Sequence, residues 1–345
     1  MAKPKVAVVG ASGYTGLELA RILSRHEAVE LVGVTSETHR GKMLSDLHPS
    51  LACICDMTLI PMEEMPSLSP EIVFLALPHG TSMEFVRDHG VGDFRIVDLS
   101  GDFRLKSAGT YEKWYGKPHV CPQYLEEAVF GLAELYPGEI AAARLVANPG
   151  CYPTSAILAL APLLRAGLVS PEGIIVDSKS GVTGAGAKAK EVTHFPTANE
   201  DVKAYAIGAH RHQPEMEQCL GREAGTEVRL LFAPHMVPLS RGILTTAYAP
   251  ILSGTTQESV DRAYRNAYSD RPFVRVRKEP PPVKAVRGAN YCDVYARVDE
   301  RSERVVTISV IDNLVKGAAG QAVQNMNLML GIEPAVGLGM TPVSP

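Results

Sequence analysis

The chain has 345 residues, of which 46% are hydrophobic and 21% charged. That length exceeds what one hydrophobic core usually organises, so we expect a globular protein of two domains. The formal net charge of −4 gives no basis for binding nucleic acid or an anionic membrane. Apolar runs are too short for a membrane span or a signal peptide, which predicts a cytoplasmic protein.

The first half of the chain alternates short apolar strands with helices. Strands rich in valine and leucine are predicted at 5–9, 29–34, 72–77, 95–99 and 145–147. Helices are predicted at 15–24 and 82–88. This alternation favours an α/β domain with a doubly wound, parallel sheet of the Rossmann type.

The second half changes in character, with strands that have fewer helices between them. These strands are predicted at 173–177, 228–234, 242–250, 294–298 and 305–311. They indicate an α+β domain with a mixed sheet, and a helical pattern returns at 317–330. We therefore predict a discontinuous NADP-binding domain at 1–149 plus about 315–345, and a catalytic, substrate-binding and oligomerisation domain at 150–314.

A glycine-rich turn follows the first strand and opens the first helix; it reads Gly10-Ala11-Ser12-Gly13-Tyr14-Thr15-Gly16. Glycines permit a sharp turn and close backbone approach, and a helix N-terminus binds pyrophosphate. The G-x-x-G-x-x-G spacing differs from the usual G-x-G-x-x-G, but its place after a strand supports a dinucleotide site. The alternative is a helix start with incidental glycines.

The end of the second strand bears on the choice between NAD and NADP. NAD-binding domains usually carry an acidic residue there for the ribose hydroxyls. Here Thr35 and Ser36 supply hydroxyls and Arg40 follows nearby, which suits a 2′-phosphate. These residues favour NADP(H), whereas Glu37 argues for NAD.

Cys151 lies where a Pro-Gly turn leads into a helix; the segment reads Asn148-Pro149-Gly150-Cys151-Tyr152-Pro153-Thr154. We predict Pro153 at the first helical position, where its missing N–H costs nothing. The remaining N–H groups and the helix dipole would favour a thiolate and could hold an oxyanion when the sulfur attacks a carbonyl. The alternative is a buried structural cysteine. The other five cysteines are scattered without metal-ligand spacing, so no metal is predicted.

Two histidines are candidates for the acid and base, in the segment His210-Arg211-His212-Gln213-Pro214-Glu215. Histidine suits this role because it exchanges protons near neutral pH. We place His210 ahead of His212, and the segment also fits a capped helix start. Arg104 and Arg241 stand at turns where a guanidinium can grip phosphate or carboxylate, although most such arginines merely cover surface.

A further turn, at 178–186, is dense in N–H groups and hydroxyls. Its residues Ser180 and Gly181 could touch nicotinamide or phosphate, and the alternative is a flexible loop.

Together these segments resemble the N-acetyl-γ-glutamyl-phosphate reductases, a family related to the aspartate-semialdehyde dehydrogenases. The motifs that carry the resemblance span almost the whole chain: GASGYTG, DLSGDFRL, NPGCYPT, SGVTGAG, HRHQPE and the late DNLVKGAAGQAVQNMN. The resemblance implies an NADP-binding Rossmann domain, an α/β substrate domain and usually a homotetramer.

The resemblance also implies site residues and a reaction. Cys151 corresponds to the nucleophile and His210 to the motif histidine, with His212 left open. It implies cofactor contacts from Ser12, Gly13, Tyr14, Thr15, Gly16, Ser36, Arg40, Asn313 and Lys316. The implied thiolate attacks the acyl carbon of N-acetyl-γ-glutamyl phosphate and NADPH reduces the resulting thioester. Candidates for binding the substrate or helping its phosphate leave are Arg104, Asn148 and Arg241.

Three alternatives remain. A sister reductase acts on a carrier-protein-linked α-aminoadipyl phosphate in lysine biosynthesis, but no lysine run offers a basic rim for an acidic carrier. A cysteine acyltransferase or hydrolase would work without nicotinamide cofactor. An NADP-sensing regulator would not need Cys151. The partners expected for the main interpretation are a small-molecule acyl phosphate and further copies of the chain, as a dimer or tetramer.

Overall fold

Two β-sheets, one in each of two units of the chain, organise the computed structural model, which describes residues 2–344. The first unit extends to Pro149 and takes up Ala318–Gly339. The second comprises Gly150–Gly317 and the residues from Met340 onward. The sequence assigned the tail after Gly339 to the first unit, whereas Val343 donates its N–H to the Arg287 carbonyl of the second (2.9 Å).

The first unit has a six-stranded, fully parallel sheet in the order β2-β1-β3-β4-β6-β5. Its strands are β1 (Lys5–Val9), β2 (Glu30–Thr35), β3 (Ile72–Leu75), β4 (Arg95–Asp98), β5 (Val129–Phe130) and β6 (Leu145–Ala147). Its helices are α1 (Tyr14–Leu23), α2 (Leu44–Leu47), α3 (Thr81–His89), α4 (Ala108–Tyr115), α5 (Tyr124–Glu127) and α6 (Pro137–Ala142), with 3₁₀ turns at Pro49–Leu51 and Met62–Leu68. The predicted Rossmann-type sheet is confirmed, and its central strand β3 is buried throughout, as expected for a parallel sheet.

The second unit has a seven-stranded mixed sheet in the order β11-β12-β13-β10-β7-β9-β8. Its strands are β7 (Ile174–Gly181), β8 (Lys203–Ala204), β9 (Leu230–Val237), β10 (Ile243–Pro250), β11 (Val274–Val276), β12 (Cys292–Asp299) and β13 (Arg304–Ile311). The pairs β7–β9 and β11–β12 are parallel and the remaining pairs antiparallel. The predicted mixed sheet is therefore confirmed.

Helix α7 is the apolar centre of the second unit. The helices here are α7 (Cys151–Arg165), α8 (Phe195–Ala198), α9 (Gln213–Ala224) and α10 (Gln257–Tyr268), with 3₁₀ turns at Val182–Ala185, Glu191–Thr193 and Val283–Ala285. Every residue of α7 between its two ends is buried. It packs against α9, α10 and strands β10, β12 and β13. Its alanine- and leucine-rich sequence therefore fits a helix that is surrounded on all sides.

A proline inside α7 has its missing hydrogen bond replaced by another helix. Pro162 has no N–H to donate, so the carbonyl four residues earlier, that of Leu158, loses its helical partner. The hydroxyl of Tyr268 on α10 donates to that carbonyl at 2.7 Å. This bond satisfies the buried acceptor and ties α10 to α7.

The segment after β13 forms a π-helix, Val315–Ala319, followed by α11 (Gly320–Met329). The sequence predicted one helix over 317–330, so the π-turn was missed. Helix α11 lies in the first unit and packs against α1, α6 and β4. No helix within residues 2–344 is long and apolar enough to cross a lipid bilayer.

Candidate active site

The glycine-rich turn lies between β1 and α1. Gly10 has φ +91°, and a Cβ on it would lie 2.6 Å from the Ala76 carbonyl oxygen, so no other residue fits. Gly13 is the N-cap of α1, no side chain caps this helix start, and a Cβ on Gly13 would meet nothing within 4 Å. An open helix start with uncapped N–H groups fits a dinucleotide pyrophosphate. The other predicted contacts lie in this turn or in the first turn of α1: Ser12, Tyr14, Thr15 and Gly16.

The residues after β2 form a polar edge beside that turn. Ser36 is buried and donates its hydroxyl to Ser12 Oγ at 3.3 Å. Glu37, the residue that argued for NAD, accepts the Met62 N–H at 2.8 Å and pairs with Arg40. The Met62 N–H first and Arg40 second hold the pKa of Glu37 below its usual value. The Arg40 guanidinium stays exposed to solvent.

Arg104 and Asn148 hold the backbone just after β6. Arg104 is 5% exposed, and it donates to the carbonyls of Asn148 (2.8 Å) and Leu99 (2.9 Å). The side chain of Asn148 accepts a hydrogen bond from Asn325 Nδ2 (3.1 Å) and donates to the Ala318 carbonyl (3.2 Å). Both residues therefore position the chain, and their predicted contacts with phosphate stay a prediction.

Asp98 and Asp102, the two aspartates of DLSGDFRL, have structural roles that the sequence did not predict. Only Arg104 of this motif was a candidate site residue. Asp102 is fully buried and accepts the N–H groups of Gly80 (2.7 Å) and Met83 (3.0 Å) at the start of α3, and the hydroxyl of Tyr111 (2.8 Å). Burial, and then the nearby Asp102, raise the pKa of Asp98 to about 6. These carboxyls hold the loops that follow β3 and β4.

Cys151 is the first residue of α7, with Gly150 as N-cap. The prediction that the helix begins at Pro153 was wrong by two residues. Proline fits at the third position as well, because no N–H in the first turn has an acceptor inside the helix. The Thr154 N–H donates to the Gly150 carbonyl at 2.9 Å and closes the first turn. The half-buried thiol thus lies at the positive end of a 15-residue helix.

Glu215 lies at the same helix start and was missed as a site residue. It is 1% exposed, belongs to α9, and accepts the Gly150 N–H at 2.7 Å. A carboxyl group here takes up the N–H of the residue directly before Cys151. Glu215 is the glutamate of the HRHQPE motif, and the sequence indicated it only as part of a helix start. Its contact with Gly150 was not predicted.

The rings of the two histidines lie around Tyr152, the residue after Cys151. The ring centroids of His210 and His212 lie 5.6 and 5.9 Å from that of Tyr152, and 4.7 Å from each other. Nδ1 of His210 accepts the backbone N–H of His212 at 3.1 Å. Burial, and then the charge of Arg211, lower the pKa of His210 to about 4.

Aromatic residues that the sequence did not single out complete this cluster. The hydroxyls of Tyr152 and Tyr205 lie 3.0 Å apart, and burial raises the pKa of Tyr205 to about 12. Phe232 packs against the rings of both Tyr152 and His210. The cluster gives His210 a largely apolar environment.

The remaining predicted site residues join neighbouring loops of the second unit. Asn313 accepts the Gly242 N–H (2.7 Å) and donates to Thr183 Oγ1 (3.0 Å). Arg241 pairs with the buried carboxylate of Asp312 at 3.1 Å. Lys316 is fully buried, and Ser180 and Gly181 end strand β7. Their contacts with cofactor or substrate stay predictions.

Comparison with known families agrees with this arrangement. Residues 5–143 match the family model described as "Semialdehyde dehydrogenase, NAD binding domain", and residues 151–313 match "Semialdehyde dehydrogenase, dimerisation domain". The fold is similar to that of aspartate semialdehyde dehydrogenase II from Vibrio cholerae, with TM-score 0.74 at 17% identity over 96% of this chain and 99% of that one. Aspartate semialdehyde dehydrogenase from Candida albicans, whose structure was solved with NADP, gives a TM-score of 0.69 at 15% identity over 95% of this chain and 99% of that chain. The chain is thus a member of the semialdehyde dehydrogenase class.

Sequence relatives narrow the class to a family. A protein named N-acetyl-gamma-glutamyl-phosphate reductase from Syntrophobacter fumaroxidans is 49% identical over 99% of both chains. One of the same name from Dehalococcoides mccartyi is 50% identical over 98% of both chains. The chain belongs to the N-acetyl-gamma-glutamyl-phosphate reductase family, and the resemblance predicted from the motifs is confirmed.

The carboxylate of Glu215 is expected to oppose ionisation of Cys151, because a nearby negative charge disfavours the thiolate. Glu215→Gln keeps an acceptor for the Gly150 N–H and removes the charge. The midpoint of the pH profile for alkylation of Cys151 by iodoacetamide should therefore move to lower pH. Cys53→Ser in the same background removes the exposed thiol and keeps the assay specific. An unchanged or higher midpoint would contradict the assignment.

Proposed function

We propose that this protein reduces N-acetyl-γ-glutamyl phosphate to N-acetylglutamate semialdehyde and phosphate with NADPH, in arginine biosynthesis. The observation that carries the proposal is Cys151 at the start of α7, in a chain about half identical to reductases of that name over almost its full length. The shared name supports this substrate over the carrier-linked aminoadipyl phosphate of lysine biosynthesis. The same relatives are named as reductases, which supports a reductase over the acyltransferase and regulator alternatives.

In the proposed mechanism Cys151 forms a covalent intermediate. Its thiolate attacks the acyl carbon, and a tetrahedral oxyanion forms. The Tyr152 N–H lies in the first turn of α7, where no intrahelical acceptor exists, and it is our candidate donor to the oxyanion. The Gly150 N–H is held by Glu215. Collapse breaks the bond from the acyl carbon to the phosphate oxygen, phosphate leaves, and a thioester remains.

NADPH, when bound, supplies the hydride that reduces the thioester. Hydride addition would give a tetrahedral oxyanion, which takes up a proton to become the thiohemiacetal. The hydroxyl gives that proton back when the C=O bond re-forms, the C–S bond breaks, and the sulfur leaves as thiolate with the aldehyde released. A group that exchanges this proton works best with a pKa near the working pH. His210 has a pKa of about 4 and its Nδ1 accepts the His212 N–H. We therefore propose His212 as the residue that moves the proton, and His210 as its support.

The reverse reaction tests reaction class and nucleophile together. N-acetylglutamate semialdehyde, phosphate and NADP should yield NADPH with wild-type protein, followed by its absorbance. Cys151→Ser should abolish turnover and leave NADPH affinity nearly unchanged, because the alkoxide of serine is scarcely formed at neutral pH. Cys53→Ser, at an exposed cysteine, is the matched control and should retain full activity.

Phosphate-independent turnover, or activity retained in Cys151→Ser, would exclude the thioester route. NADP binding without any turnover would point to the carrier-linked aminoadipyl substrate.

The two histidines are separated by their pH profiles. His212→Gln should lower kcat by about 10²–10⁴, the usual contribution of a general acid–base group. His210→Gln should cost less than about tenfold. It should also remove a stability term: the folded pKa of about 4 lies below the unfolded value near 6.5, so wild type loses stability as pH falls through that window. A larger loss of kcat in His210→Gln than in His212→Gln would return the role to His210, and equal losses would contradict the assignment to His212.

The cofactor is proposed to be NADP(H), with its pyrophosphate at the start of α1 and its 2′-phosphate beside Ser36 and Arg40. The exposed guanidinium of Arg40 and the engagement of Glu37 by Met62 support this choice. Contacts from Asn313, Lys316, Ser180 and Gly181, and phosphate contacts from Arg104 and Arg241, remain part of the proposal.

Arg40→Ala should weaken NADPH binding about tenfold or more and NADH binding little, because only NADPH carries the 2′-phosphate. Glu37→Gln is the matched variant: it removes the charge that pairs with Arg40 and should tighten NADPH binding. Fluorescence titration with both nucleotides measures each affinity. Equal weakening of NADPH and NADH by Arg40→Ala would show that the 2′-phosphate is bound elsewhere.

A homo-oligomer is expected from the match to a dimerisation domain, and we propose a tetramer built from dimers. Partly exposed apolar side chains support contact through the second sheet; Leu244 and Tyr248 alternate with buried residues along β10, and Leu231 on β9 is 47% exposed. A biosynthetic step that needs NADPH and a free thiol also favours the cytoplasm.

A further inference from the structure

The π-helix at Val315–Ala319 lies against the nucleophile. Gly317 donates its N–H to the Asp312 carbonyl at 2.9 Å, which is the five-residue spacing of a π-turn. The Asp312 carboxylate holds this turn by accepting the N–H groups of Leu314 (2.9 Å) and Val315 (3.2 Å). It also accepts the Gly288 N–H at 2.7 Å. The backbone at Gly317 is therefore fixed by several buried hydrogen bonds.

Space, not backbone conformation, requires glycine at this position. A Cβ on Gly317 would lie 2.8 Å from Cys151 Cβ and 3.2 Å from Cys151 Cα. It would also lie 3.2 Å from Ile311 Cδ1. Carbon atoms attract at about 3.5–4.0 Å and repel well inside that distance. The backbone of the π-helix thus packs directly on the carbon that carries the sulfur.

Cys151 is held from another direction by Glu215, which fixes the preceding N–H at 2.7 Å. The nucleophile therefore has its own Cα and Cβ against one rigid turn and its N-cap bonded to a buried carboxylate. These contacts fix the position and direction of the Cα–Cβ bond, and with it the point from which the sulfur projects.

We propose that Gly317 is a positioning residue for the nucleophile. Because glycine has no side chain, the backbone of the π-helix can pack directly against Cys151 and hold it in place. The proposal rests on the proposed function only in that Cys151 is the reacting group. A methyl group at 317 displaces either Cys151 or the turn that bears Lys316. Displacements on the order of 1 Å from reactive geometry cost about 10²-fold in rate.

The kinetic test compares Gly317→Ala with Gly138→Ala, a helical glycine at which a Cβ would meet nothing within 4 Å. Gly317→Ala should lower kcat by about 10–100-fold and leave the KM for NADPH within about twofold. The rate of Cys151 alkylation by iodoacetamide should change as well, in a Cys53→Ser background. Gly138→Ala should change none of these quantities. Unaltered kcat and alkylation in folded Gly317→Ala overturn the proposal.

A double-mutant cycle identifies the contact itself. Cys151→Gly removes the Cβ that Gly317→Ala would meet, so the loss of Tm caused by Gly317→Ala should be much smaller in the Cys151→Gly background. This holds even where Gly317→Ala alone does not fold, because the double variant then should. An equal loss in both backgrounds, or failure of both to fold, shows that Cys151 is not the neighbour that excludes a side chain.

The Tm and alkylation readouts need no substrate. A wrong substrate assignment would therefore leave them intact, and the two failures are distinguishable.

Discussion

The start of helix α7 is the constraint on which the second unit depends. A buried apolar helix concentrates unpaired N–H groups and positive potential at one end, and burial keeps solvent from weakening that potential. At this end the chain places a thiol, a buried glutamate that accepts the N–H of the N-cap residue, and a pair of tyrosines. Glu215 and Gly317 both act at this helix start: Glu215 accepts the N–H of Gly150, and Gly317 packs against Cys151.

The first unit also contains helix starts with N–H groups that lack partners inside the helix, and it treats two of them differently. Its helix α1 also begins at a glycine without a side-chain cap, whereas α3 is capped by the buried carboxylate of Asp102. An open terminus can receive an anion from outside the chain; a closed one only anchors a loop. This contrast supports our proposal that the start of α1 receives the cofactor, whereas the start of α3 anchors a loop.

Local patterns predicted local structure well. Strands β1 and β6 agree with the predicted bounds, because each is a short apolar run ended by a turn. Strands β5, β8 and β11 have two or three residues and were not predicted. The π-helix was missed because its altered spacing lasts a single turn and looks like the beginning of an α-helix.

Motifs located the candidate site residues but not their contacts. Cys151 and the two histidines came from residue chemistry and spacing. Glu215 on Gly150, which is 65 residues away in sequence, could not be inferred, because tertiary packing alone decides which buried acceptor meets which donor. The same holds for Gly317, whose importance lies in an atom it lacks.

Pro162 has a consequence for the order in which the protein is made. The Leu158 carbonyl inside α7 has no helical partner, and its donor, the Tyr268 hydroxyl, comes 110 residues later in the chain. During synthesis the helix that carries Cys151 emerges long before the residue that completes its hydrogen bonding. Completion of this helix is therefore coupled to the arrival of α10, and a nascent chain that lacks α10 holds Cys151 on a helix with one hydrogen bond missing.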